Sequence, residues 1–235
     1  MKKKFLSLVL VSTMVLGSAI TAFAADGTID SMAGTGTGQE ITGDAEVAVP
    51  TIKITVPTSV DIKINPYKIK ATVGEKQISD QIATVPQEIK NESNVGVAVN
   101  IENLKAKSDT VAVSASSLAG KSGAKAVFLY LDVQDGAADS ADFTRAYDAK
   151  TMIACPAAAA GATDDKIKAV SKTNVVTLSA GDQTATKASF KMRGDVVVNP
   201  TKTENKTTVA DPWTDSDTVS FGFKFTFTPQ VNAGE

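Results

Sequence analysis

The stretch TVSFGFKFTFTP, residues 218–229, puts Val219, Phe221, Phe223, Phe225 and Phe227 at every second position, with Ser220, Gly222, Lys224, Thr226 and Thr228 between them. Period-two alternation of apolar and polar residues is the mark of a β-strand with one apolar face. At 3.3 Å per residue the four rings line ~20 Å of that face. Full burial of a phenylalanine is worth roughly 1.5–3 kcal/mol, so the row is expected to be among the strongest contributions to a core. Two uses fit such a strand so near the C-terminus: it closes its own domain, or it is offered to a neighbouring subunit.

The same alternation runs through the chain. TIKITV (51–56) sets Ile52, Ile54 and Val56 against Lys53 and Thr55, and VDIKIN (60–65) repeats the pattern after a Pro-containing break. ATVPQEIKNESN (83–94), VGVAVNIENL (95–104), TVAVSAS (110–116), TNVVTLS (173–179) and ATKASFKMRGDVVV (185–198) read likewise, and TMIAC (151–155) as a short strand. AKAVFLYLDVQ (124–134) is apolar on both faces, which suits a central or covered strand. PAAAAGATDDKIKAV (156–170) has room for one helical turn, and no stretch carries a convincing amphipathic helix. NPTKTENKTTVADPWTDSD (199–217) reads as a long polar loop. The expectation is an all-β fold, an antiparallel β-sandwich of about nine or ten strands.

The N-terminus speaks to compartment. MKKK is a basic start, FLSLVLVSTMVLGSAI an apolar run, and Ala22 and Ala24 are small residues at its exit. This is the pattern of a secretory signal peptide over residues 1–24, cut after Ala24; the other reading, an uncleaved anchor, asks for a span of ~20 residues. Residues 25–45, rich in Gly, Thr, Asp and Ser, read as a flexible N-terminal arm, and residues 46–235 as the sandwich domain. Loss of Lys2, Lys3 and Lys4 takes the formal charge from −2 to about −5, which offers no attraction to nucleic acid or to an anionic membrane surface. The chain is expected to be secreted, extracellular or at the cell surface, with no membrane association after cleavage.

The chemistry is sparse. Histidine is absent from the 235 residues, which removes the commonest general base and metal ligand and every Ser-His or Cys-His arrangement. Cys155 is the single cysteine; it reads either as a small buried apolar residue or as a reactive or intermolecular thiol. Gly120-Lys121-Ser122 has Ala115 where a phosphate loop needs its first glycine, so it reads as a turn. Asp132, Asp135, Asp139 and Asp142, and again Asp211, Asp215 and Asp217, read as solvated acidic loops, with calcium binding the sharper alternative. Trp213, the single tryptophan, is the one candidate ligand contact: it packs across an end of the core or meets sugar or protein from the surface. No catalytic, cofactor-binding or metal residues are assigned and no cofactor is expected.

ITVPTSVDIKINP (54–66) and KFTFTPQV (224–231) resemble the strand–Pro–strand opening and the closing strand of secreted surface proteins of Gram-positive bacteria, in particular the WxL family. The resemblance implies a β-rich domain attached to the cell wall. Thr214 and Asp215 follow Trp213, so the Trp-x-Leu motif is not matched, and no binding residues carry over. The expected function is that of an exported, non-enzymatic structural or adhesive protein, self-assembling by strand addition. The alternatives are a cell-wall or glycan-binding module and a glycoside hydrolase built on two carboxylates. The partners implied are a second copy of the chain or a cell-wall polysaccharide.

Overall fold

A computed structural model describes residues 12–16, 51–67, 71–73, 76–78, 81–118, 121–139, 143–181 and 186–230. Its elements are almost all strands. In chain order they begin with β1 (Ser12–Leu16), β2 (Ile52–Val56), β3 (Lys63–Ile64), β4 (Ala71–Val73), β5 (Lys76–Ile78), β6 (Ile82–Ala83), β7 (Gln87–Asn91) and β8 (Gly96–Lys107). They continue with β9 (Ala112–Ser114), β10 (Ala126–Asp135), β11 (Ile153–Ala154), a single 3-10 turn at Asp164–Lys166, β12 (Val170–Leu178), β13 (Thr186–Val196), β14 (Thr201–Glu204), β15 (Thr207–Ala210) and β16 (Ser220–Gln230).

Two sheets carry the architecture. The larger has the order β1-β2-β7-β13-β10-β11, with β9 added to β10 in parallel; the smaller has the order β12-β8-β16. Every other pairing is antiparallel. The inward residues of β8 (Val97, Val99, Ile101, Leu104) meet those of β10 (Val127, Leu129, Leu131, Val133) and β13 (Ala188, Phe190, Met192) in one buried core. This is the all-β sandwich that the alternation implies.

The doubly apolar β10 lies inside the larger sheet and is covered on both faces. Val127, Leu129, Leu131 and Val133 face the smaller sheet. Phe128 and Tyr130 face the other way, into a second cluster with Leu118, Met152, Val197 and Tyr147. There Phe128, Tyr130 and Tyr147 pack with centroids about 5 Å apart, Phe128 and Tyr147 edge to face at 88°. The chain from Phe143 to Met152 therefore acts as a strap over the outer face of the sheet.

At Gly194 the strands run unusually close: a Cβ there would sit 1.8 Å from the Phe128 carbonyl oxygen of the neighbouring strand. Only glycine lets β13 approach β10 so closely.

Three sequence expectations need correction. VDIKIN forms a strand only at Lys63–Ile64, because its partner Ile82–Ala83 is two residues long and leaves Val60 to Ile62 without a ladder. The segment 199–217 is not all loop: β14 and β15 pair across a two-residue turn at Asn205 and Lys206, both with positive φ (47° and 66°). Such a turn matches the twist of a hairpin, but TKTE and TTVA lack an apolar face and the turn lacks glycine, so the pattern was silent. The third concerns Asp132. It belongs to no loop; it lies in β10, fully buried, and is treated below. Residues 25–45, Gly120 and Asp142 lie outside the described residues.

Candidate functional site

β16 forms as its alternation requires, but not in the place that full burial of its rings would need. It is the edge strand of the smaller sheet, paired with β8 on one side; among the described residues it has no strand on the other. Its outer face is polar and anchored to β8: Asn100 donates to Thr228 Oγ1 (3.0 Å), Thr226 donates to Glu102 (3.1 Å), and Lys224 lies 3.8 Å from the same carboxylate. Its inner face carries the phenylalanines. Phe223 and Phe225 pack on the buried Phe190 of β13, at 5.9 and 5.0 Å between centroids. Neighbouring rings along the row lie 5.1–6.5 Å apart.

None of the four rings is fully buried. Phe221, Phe223, Phe225 and Phe227 are all half-buried, packed against the core on one side and open on the other. The reason is positional. An interior strand has neighbours left and right, whereas an edge strand leaves one flank of its side chains uncovered.

The open flank is a groove of about 690 Å³ between β16 and the segment Val56 to Ile62. The far wall is the end of β2 and the irregular stretch that follows it, with Val60 and Ile62 turned toward the core. Asp61 and Lys224 are the only charged residues in the lining. The groove offers an apolar floor and the open backbone edge of β16.

The second edge on this flank belongs to β2. In the full chain β1 pairs with it antiparallel over five residues, Ser12 opposite Val56 and Leu16 opposite Ile52. The strand on that edge thus comes from the segment read as the signal peptide.

The single tryptophan sits elsewhere. Trp213 is half-buried against the core, and its indole N–H donates to the Val197 carbonyl at 2.7 Å. Its polar handle is therefore spent within the fold. The acidic residues around it are held by an internal cation: Lys125 lies 2.9 Å from Asp217 and 3.3 Å from Asp211, with side-chain exposures of 10% for Lys125 and 3% for Asp217. Burial works against the charge of Asp217, but the Lys125 ammonium, the Thr214 amide and two threonine hydroxyls outweigh it and hold the carboxyl below its usual range. Asp215 stays exposed.

The first acidic run is divided by the fold. Asp132 is completely buried and accepts from Arg193 (3.0 Å), Arg145 (2.5 Å) and Gln134 (3.2 Å), while Asp135 and Asp139 are exposed. Among the described residues no three acidic or cysteine side chains come together as a metal site. Cys155 is buried at 0% exposure, its amide bonded to the Leu129 carbonyl, and burial pushes its thiol up to about 12. A thiol so protonated is a poor nucleophile. Lys121 and Ser122 are exposed in a turn, the Lys121 amide bonded to the Leu118 carbonyl.

Sequence reasoning found the Phe row and missed the groove, whose far wall is the irregular chain after β2. A comparison with known protein families, curated proteins and solved structures finds no match to this chain.

Proposed function

We propose that the protein is an exported, non-enzymatic structural protein of the cell surface or extracellular space, which assembles with copies of itself by strand addition along the open flank. The observation that carries this reading is the half-buried phenylalanine row beside the unpaired edge of β16. An edge strand with a long apolar face is a template for another strand. A strand laid along β16 gains main-chain hydrogen bonds, and its alternate side chains fill the groove between the rings and Val60. Cleavage after Ala24 removes β1 and bares the edge of β2 on the same flank. A sequence without histidine lacks the commonest general base, which is why we prefer a scaffold to a catalyst.

Electron microscopy and light scattering on the secreted protein test this. We expect filaments or a concentration-dependent rise in mass. Val60→Lys, which places a charge in the groove without touching β16, should abolish assembly and leave the circular dichroism of the fold unchanged. A strictly monomeric parent at high concentration, or assembly indifferent to Val60→Lys, would overturn the reading.

A further inference from the structure

A second recess, of about 420 Å³, lies where the end of β10, the strap and β12 meet, and it shares no lining residue with the groove. Its walls are Val133 to Asp135, then Arg145, Lys150 and Thr151, then Lys172 and Asn174 to Val176. Three of these side chains are cations, and Asp135 is the single carboxylate among them.

The positive charge there is only partly neutralised from within. Lys150 and Lys172 make no ion pair among the described residues. The Lys172 ammonium donates to the Lys150 carbonyl at 2.7 Å, which ties strap to strand and holds the two residues together at the recess. Arg145 shares Asp132 with Arg193, so one carboxylate serves two guanidiniums.

An anion seated in the recess would answer this excess of positive charge. A guanidinium pairs with planar or tetrahedral oxyanions through several N–H groups. The ammoniums of Lys150 and Lys172 supply point charges without demanding one geometry.

We propose that this recess is an oxyanion site, binding a phosphate or carboxylate group with the Arg145 guanidinium and the ammoniums of Lys150 and Lys172 as its cations. The same chemistry is offered by free inorganic phosphate and by the phosphodiesters of an anionic wall polymer.

The test is a titration of the purified chain with inorganic phosphate at constant ionic strength, with chloride as the control, read by amide chemical shifts. We expect a saturable change confined to residues 133–135, 145–151 and 172–176. The Lys150→Ala/Lys172→Ala double variant should weaken affinity at least tenfold. Both lysines carry solvent-accessible side chains, so the fold should survive, as circular dichroism will check. Arg145→Lys keeps a positive partner for Asp132 and loses the planar guanidinium; it should weaken phosphate as well.

A second arm adds a glycerol-phosphate polymer. Displacement of phosphate by the polymer assigns the site to polymeric phosphodiesters, and phosphate binding without displacement assigns it to the free ion; either supports an oxyanion site. A response no different from chloride, or an unchanged affinity in the double variant, overturns it.

Discussion

Asp132 is a fully buried carboxylate in the larger sheet, and replacing it with alanine should show what it holds. Its carboxylate has no exposure, and it bonds to Arg193 at 3.0 Å and to Arg145 at 2.5 Å. The two pairs are unequal. Arg193 is 4% exposed and also lies over the face of Tyr130, 5.5 Å from its centroid. Arg145 is 36% exposed, so water screens its share, about 0–1 kcal/mol. Removing one partner of a buried ion pair costs roughly 3–5 kcal/mol, because the other charge stays buried without compensation. Asp132→Ala should therefore lose about 3–5 kcal/mol. At roughly 2–4 °C per kcal/mol for a domain of this size, the midpoint should fall by about 6–20 °C. Urea and thermal unfolding followed by circular dichroism give both numbers. The strap should loosen with it, seen as faster amide exchange across residues 143–152, since Arg145 is its ionic tether. Asp132→Leu combined with Arg193→Met should recover most of the loss, because a buried pair exchanged for apolar residues of similar size is nearly neutral. A loss below about 1 kcal/mol in Asp132→Ala, or no recovery in the double variant, would refute the argument from an uncompensated charge.

Two further expectations concern other parts of the fold. Gly194→Ala should destabilise by at least the roughly 1–3 kcal/mol typical of overpacking, because the new Cβ would meet the Phe128 carbonyl oxygen at 1.8 Å and one of two central strands must shift; a urea midpoint equal to the parent's would show that the approach is not tight. The Lys125–Asp217 pair sets an acid limit. Asp217 sits below its usual value of 3.8 in the fold, so the unfolded chain binds more protons there. Its stabilisation is whole above that value and drains as pH falls through the lower, folded one. Lys125, bonded to Asp217, lies above its usual 10.5, so its contribution is whole below that value and is lost only as pH rises through the higher, folded one. Urea midpoints from pH 6 to pH 2 should fall more steeply for the parent than for Asp217→Asn; parallel profiles would remove the pair from the acid limit.

How much of this was legible beforehand follows from the reach of each signal. Period-two alternation is a property of a few consecutive residues, and it located β2, β8, β10, β13 and β16 without reference to the rest of the chain. Apolar residues on both faces of 124–134 likewise foretold that β10 is covered twice. The hairpin β14–β15 escaped because solvent-facing strands need no apolar face and so leave no alternation to read. Asp132 escaped because it reads as the first of a spaced acidic run, Asp132, Asp135, Asp139 and Asp142, while its arginine partners arrive from 13 and 61 residues away. The anion recess was hidden for the same reason, its walls coming from β10, the strap and β12.

The amino-acid order by itself determined that the chain is built of strands, which faces of them are apolar, and that no histidine chemistry is available. Only the tertiary structure decided that β16 lies at an edge, so that its rings line a groove and are not sealed in the core. The physical reason is that side-chain direction repeats with the local backbone, whereas strand order arises from pairing between segments far apart in the chain. Alternation specifies which rings leave water together; it carries no information about how many neighbours the finished sheet will place beside them.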